Sequence, residues 1–128
     1  MKNELKVLYV EDNPGDVELL TMCIERYYGS ENIMLEVAET VEEAQKAFHA
    51  DKYDLVLTDW HLPDGEGIDV VQLIRNIEED LPIFLLSGEL SDNHINIAKE
   101  YDHLCCLEKD YSKLFIDTIC TQLGVIRQ

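Results

Sequence analysis

Five short, mainly apolar runs punctuate this chain, and amphipathic patterns of helical spacing separate them. The runs are Leu5 to Val10, Ile33 to Val37, Asp54 to Thr58, Ile83 to Leu86 and Leu104 to Glu108. Apolar strands alternating with helices indicate a parallel sheet covered on both faces, because each crossover lays a helix over the sheet. Five such units make an open, doubly wound α/β three-layer sandwich, since a closed barrel needs about eight. At 128 residues the chain can bury a core without disulfides or a structural metal. It contains no linker, internal repeat or low-complexity segment, so a single domain is expected over residues 1–128.

The helices carry their own signals. Asn13 is placed to cap the first, with Pro14 at the first helical position, where its missing N–H costs nothing. Val17, Leu20, Ile24 and Tyr27 follow at helical spacing, and Gly29 ends the run. Thr40 and Glu43 read as a capping box ahead of Val41, Ala44 and Phe48. A third helix, from about Ile68 to Ile77, is expected to turn Val70, Val71, Ile74 and Ile77 inward. Ser91 can cap a fourth, in which only Ile95 and Ala98 are apolar at the right spacing. The last is expected to begin near Tyr111 with Asp110 as its cap, burying Phe115, Ile119, Leu123 and Ile126.

Charge narrows the partners. The chain has 27 acidic against 10 basic residues, a formal charge of −17. Affinity for nucleic acid comes largely from Lys and Arg neutralising phosphates, and no basic cluster exists here. Anionic membrane surfaces are disfavoured for the same reason. No apolar run approaches the ~20 residues of a membrane span. Met1-Lys2-Asn3-Glu4 lacks a signal peptide's apolar segment, which points to the cytoplasm. Cys23, Cys105, Cys106 and Cys120 have neither CxxC nor metal-site spacing, and Cys23 and Cys120 fall in apolar helical patterns as packing residues.

The ends of the strands carry the chemistry. Glu11 and Asp12 follow the first run, Asp59 the third, Ser87 the fourth and Lys109 the fifth. In a doubly wound sheet these ends share the carboxyl edge, and strands one and three are neighbours beside the crevice. Glu11, Asp12 and Asp59 would then crowd together. Two unit charges ~4 Å apart repel by roughly 4 kcal/mol at an effective dielectric of 20. Either one carboxyl stays protonated or a cation neutralises the group, and hard oxygen ligands open to water suit Mg²⁺. A carboxylate can also accept a phosphoryl group as an acyl phosphate, with cations and donors neutralising its oxygens. Asp59, at the end of a central strand, is the natural acceptor, with Lys109 and Ser87 as the other contacts. Taken singly, each residue has a plainer structural reading: Glu11 and Asp12 before a helix, Asp59 and Ser87 in turns, Lys109 on the surface. Their arrival at one edge from independent loops favours the site.

These residues resemble the receiver domain of two-component response regulators, a flavodoxin-like (βα)5 fold with sheet order 2-1-3-4-5. The likeness rests on Val10-Glu11-Asp12-Asn13, Leu57-Thr58-Asp59-Trp60, Leu62-Pro63-Asp64-Gly65-Glu66-Gly67, Ser87-Gly88 and Lys109, and it spans nearly the whole chain. It implies that Asp59 is phosphorylated by a histidine kinase or a histidine phosphotransfer protein. It also implies Mg²⁺ held by Asp12, Asp59 and the backbone carbonyl of His61, with Glu11 acting through water. Ser87 and Lys109 would contact the phosphoryl group. Movement of Ser87 would alter the face of helix four, strand five and helix five, through which a downstream protein target or a second copy would bind. His61 and Glu89 lie two residues after the acceptor and the hydroxyl, where such domains tune hydrolysis.

Three positions depart from the family pattern. Cys106 stands where a Tyr or Phe switch residue is usual, Lys109-Asp110 replaces Lys-Pro, and Asp102 replaces a helix-ending glycine. Tyr101 or Tyr111 could substitute for the missing aromatic. The leading reading is a stand-alone receiver, not an enzyme beyond its own phosphorylation and dephosphorylation. The alternative, motivated by Cys106 and Asp110, is a phosphorylation-independent interaction module. An aspartate-nucleophile phosphohydrolase would want a second Asp where His61 stands. Flavin binding is opposed by Glu11-Asp12, which would repel the flavin phosphate.

Overall fold

The computed structural model describes residues 4–29 and 33–124. Five long strands alternate with five helices in chain order: β1 (Leu5–Val10), α1 (Pro14–Tyr27), β2 (Ile33–Ala38), α2 (Val41–Ala47), β3 (Leu55–Asp59), α3 (Gly67–Arg75), β4 (Ile83–Ser87), α4 (Asp92–Ala98), β5 (Leu104–Glu108) and α5 (Lys113–Leu123). All strand pairs in the sheet are parallel, in the order β2-β1-β3-β4-β5. This is the doubly wound order that the resemblance implies. The loop after β3 adds a small antiparallel hairpin, His61–Leu62 against Gly65–Glu66, where only turns were expected. Among the described residues, no helix is long and apolar enough to cross a membrane.

Alternation along β1 divides the core. Leu8 and Val10 face one layer with Ala44 of α2, Val70, Val71 and Ile74 of α3 and Ala98 of α4. Val7 and Tyr9 face the other, with Leu20 and Ile24 of α1 and Phe115, Ile116 and Ile119 of α5. Both faces of the inner strand β4 are covered, and all five of its residues are buried. The edge strands β2 and β5 are only partly covered.

Several local expectations need correction. Ile77 lies beyond the end of α3 and is 52% exposed, and Ile95 is 40% exposed. Neither extends the buried stripe: Ile77 lies past the last turn of its helix, and Ile95, in the middle of α4, stands largely in solvent. Helix α5 starts at Lys113, capped by Ser112, whose hydroxyl accepts from the Phe115 N–H. Asp110 instead accepts from the Ser112 N–H in a turn of its own, so it is not the cap. Thr40 caps α2 as expected, but Glu43 meets the Glu39 N–H and the Thr40 hydroxyl, so the reciprocal bond of a capping box does not close. A closed capping box occurs at α3 between Glu66 and Asp69. Ile126 lies outside the described residues.

Gly67 fixes how closely α3 approaches the end of β3. Its N–H donates to the Trp60 carbonyl at 2.8 Å. A Cβ there would lie 2.3 Å from the Asp59 carbonyl oxygen and 2.7 Å from Leu85 Cδ2. Backbone cannot yield to that contact without moving the end of the strand. Gly67→Ala is therefore expected to lower stability by about 1–3 kcal/mol through overpacking. Urea unfolding should show an earlier midpoint at an unchanged slope.

Candidate functional site

The carboxyl ends of β1, β3 and β5 bring the predicted residues together. The Glu11 N–H donates to the Ala38 carbonyl at 2.9 Å, which carries β1 pairing one residue past its last strand position. Glu11 is consequently buried at 1% exposure, while Asp12, next along, stands exposed. Asn13 accepts from the Gly15 N–H at 2.8 Å and caps α1 directly behind the pair. Asp59 is the last residue of β3 rather than the first of a loop, and its Oδ1 accepts from the Trp60 N–H at 2.8 Å. Glu11, Asp12 and Asp59 each offer a carboxylate oxygen, and these oxygens all lie within 4.8 Å of one another. A set of hard oxygen donors, open to water on the Asp12 side, fits a small divalent cation such as Mg²⁺.

Lys109 closes the group from β5. Its Nζ lies 2.9 Å from Glu11 Oε1, 3.2 Å from Asp16 Oδ2 and 3.3 Å from Asp59 Oδ1, and its side chain is only 10% exposed. Glu11 also accepts from the Tyr9 hydroxyl at 3.3 Å and the Asn13 N–H at 3.4 Å. Burial nevertheless dominates, pushing the Glu11 carboxyl up to about 7 against the pull of Lys109, with Asp59 adding to the rise. Burial works against the Lys109 ammonium, but the combined pull of Glu11, Asp59 and Asp16 outweighs it and raises Lys109 above its ordinary range. Three carboxylates around one ammonium, with Asp12 beside them, leave the pocket short of positive charge.

The remaining predicted residues stand nearby with other partners. Ser87 is buried, and its hydroxyl donates to the Glu89 carbonyl at 2.8 Å and accepts from the Glu89 N–H at 3.3 Å. The Ser87 carbonyl accepts from the Lys109 N–H at 2.7 Å, tying the β4 and β5 ends together. The Glu89 and His61 side chains are exposed, and His61 belongs to the hairpin. Cys106 is half-buried, its thiol donating to the His94 carbonyl at 3.5 Å and raised by burial. The His94 ring packs on Trp60, with centroids 4.1 Å apart. No cis peptide bond occurs among the described residues, so Lys109-Asp110 is trans. The left-handed residue before β5 is His103 at φ 59°, one position after Asp102.

Sequence reasoning missed Asp16 and Tyr9 as members of the site, and the bond that Tyr111 brings to it. Asp16 arrives from the first turn of α1, and the Tyr111 hydroxyl donates to its Oδ1 at 3.1 Å. Tyr9 looked like an ordinary strand aromatic, yet its hydroxyl bonds Glu11. The only available signal for Asp16 was its place one helical turn beyond Asp12. Asp64 is a further omission, since its two carboxylate oxygens accept from the Val41 and Glu42 N–H groups at 2.8 and 3.0 Å. Those bonds hold its carboxyl below its ordinary range and fasten the loop after Asp59 to the start of α2.

The Glu11 environment sets a pH dependence. A carboxyl raised in the folded state contributes stability below its unfolded value, and that contribution is lost as pH rises through about 7. In EDTA, Glu11→Gln should therefore gain stability relative to wild type between pH 5 and about 7.5. Paired urea titrations across that range check it; a constant difference between the two proteins would contradict the assignment.

Comparison with known proteins agrees with this geometry. Residues 7–119 match the response regulator receiver domain family. The response regulator protein PilR of Pseudomonas aeruginosa is 34% identical over 83 residues, covering 65% of this chain and 18% of PilR. The chain spans only a minority of the length of such curated relatives. Among solved structures, the non-phosphorylated HemR receiver domain from Leptospira biflexa superposes with a TM-score of 0.83 at 27% identity, covering 98% of both chains. The receiver domain of the sensor histidine kinase PA1611 from Pseudomonas aeruginosa, solved with magnesium in its active-site cleft, has a TM-score of 0.76. That fold match, at 20% identity, covers 93% of this chain and 96% of the other. With its flavodoxin-like order and its acidic pocket at the carboxyl edge, the chain belongs to the receiver-domain family of two-component response regulators.

Proposed function

We propose that this receiver accepts a phosphoryl group on Asp59 from a histidine kinase or a histidine phosphotransfer protein, in a Mg²⁺-dependent reaction. The observation that carries the reading is the trio of Glu11, Asp12 and Asp59 oxygens within 4.8 Å, with Lys109 Nζ 3.3 Å from Asp59 Oδ1. Asp12, Asp59 and the backbone carbonyl of His61 would hold the cation, with Glu11 acting through water. The magnesium in the cleft of the PA1611 receiver supports that choice. A bound Mg²⁺ supplies charge neutralisation for phosphoryl oxygens.

The protein's own groups supply the rest. The Asp59 carboxylate is the nucleophile, held by the Trp60 N–H so that one oxygen is oriented. Lys109 offsets developing negative charge, and the Ser87 hydroxyl, on turning from the Glu89 carbonyl, gives a further donor. His61 and Glu89, both exposed, would tune hydrolysis. The output face would be that of α4, β5 and α5, where Ile95 and Leu114 stand exposed for a downstream protein or a second copy. The alternative of a phosphorylation-independent module gains no support from the site, since the carboxylates remain grouped and Lys109 remains beside Asp59.

Trp60 follows Asp59 in sequence and is 5% exposed, so its fluorescence is placed to report on the site. Acetyl phosphate with Mg²⁺ should change that fluorescence and add about 80 Da, the mass of one phosphoryl group. Both signals should vanish in Asp59→Asn and in EDTA. An adduct that survives Asp59→Asn would refute the acceptor.

A further inference from the structure

Lys109 is shared among three carboxylates, and one of them lies outside the trio that the proposed function uses. An ammonium has three N–H donors. Here Glu11 and Asp16 accept hydrogen bonds from Nζ at 2.9 and 3.2 Å, and Asp59 Oδ1 lies 3.3 Å away as an ion pair, so three carboxylates ring the ammonium. An anion arriving on Asp59 can recruit Lys109 fully only if one of these partners gives way. Glu11 is fixed, with no side-chain exposure and further bonds from the Tyr9 hydroxyl and the Asn13 N–H. Asp16 is the more exposed partner, at 24%, and stands in the first turn of α1.

Asp16 is not left to float, because Tyr111 braces it. The Tyr111 hydroxyl donates to Asp16 Oδ1 at 3.1 Å and approaches the Asp16 carbonyl at 3.4 Å. Its ring meets Phe115 edge-on at 5.3 Å, and its carbonyl accepts the Cys23 thiol at 3.8 Å. Tyr111 also sits at φ 52°, a left-handed conformation that a bulky residue adopts only when its surroundings hold it there. The brace thus spans from the loop after β5 to helix α1.

We propose that Asp16, held by Tyr111, is a positioning residue that keeps Lys109 from fully engaging an anion on Asp59, and so sets how tightly the pocket takes a phosphoryl group. The inference rests on the phosphoacceptor reading above. Asp16 competes with the phosphoryl oxygens for the ammonium, and the negative charge it adds beside Lys109 opposes the incoming anion. Once the anion wins, Asp16 loses Lys109 and keeps the bond from the Tyr111 hydroxyl.

The test is a beryllofluoride titration at saturating Mg²⁺, read by Trp60 fluorescence on the full chain. Asp16→Asn should lower the half-saturating beryllofluoride concentration by about fivefold or more, as removal of one unit charge some ~4 Å away requires. Tyr111→Phe leaves the charge intact but loosens the brace, and should tighten binding by about twofold. Glu108→Gln removes an exposed neighbouring charge that does not touch Lys109, and should leave binding unchanged. Tighter binding is a result that structural damage does not produce. If Asp16→Asn fails to fold, Tyr111→Phe carries the test. A wild-type protein silent to beryllofluoride overturns the phosphoacceptor reading itself, and this inference with it. A responsive wild type with unchanged or weaker binding in the folded variants overturns only the role of Asp16, as does equal tightening by Glu108→Gln.

Discussion

The buried ammonium of Lys109 is the interaction on which the site depends. Without it, Glu11, Asp16 and Asp59 would face one another across a few ångströms with no compensating charge, an arrangement that a buried edge cannot sustain. With it, the carboxylates are held together but remain undercompensated. Glu11 answers by favouring its protonated form, since burial outweighs the pull of Lys109. A pocket in that condition gains from a divalent cation and from any group that redistributes its charge. The chemistry of a receiver is thus prepared by electrostatic crowding that the fold enforces.

The fold enforces it through backbone devices rather than through the carboxylates themselves. Parallel pairing of β3 with β1 and β4 sets Asp59 beside the end of β1. The Glu11 N–H to Ala38 bond keeps Glu11 in the sheet long enough to bury its side chain. Gly67 allows α3 to start against the Asp59 carbonyl, and Asp64 fastens the intervening loop to α2. Each device removes a freedom that would let the acidic side chains part.

The departures from the family pattern fall along β5 and the loops that flank it. Cys106 leaves no aromatic at its position, and the neighbouring ring pair is Trp60 with His94, whose carbonyl takes the Cys106 thiol. Tyr101 receives the Gln72 side-chain amide at 3.1 Å and packs against the α2–α3–α4 core. Tyr111 belongs to the opposite layer, with α1 and α5. Of Tyr101 and Tyr111, only Tyr111 touches the network around Lys109. Hydrogen bonds therefore tie the acidic pocket to the loop before α5 as well as to the end of β5.

Local pattern alone carried much of this. Strand and helix periods, the Asn13 cap with Pro14, and polar residues at the strand ends are short-range features, so the alternation of strands and helices and the trio of Glu11, Asp12 and Asp59 were legible before any coordinate. Helix limits were less legible, because Asp110 and Ser112 offer similar capping chemistry and only packing against α1 decides between them. Asp16 and Tyr111 were not legible as site residues, since they meet Lys109 or each other across more than 90 positions of chain. The protonation preference of Glu11 and the inward turn of the Ser87 hydroxyl belong to the same class. They follow from burial and from which groups surround a side chain, and no one-dimensional spacing encodes those quantities.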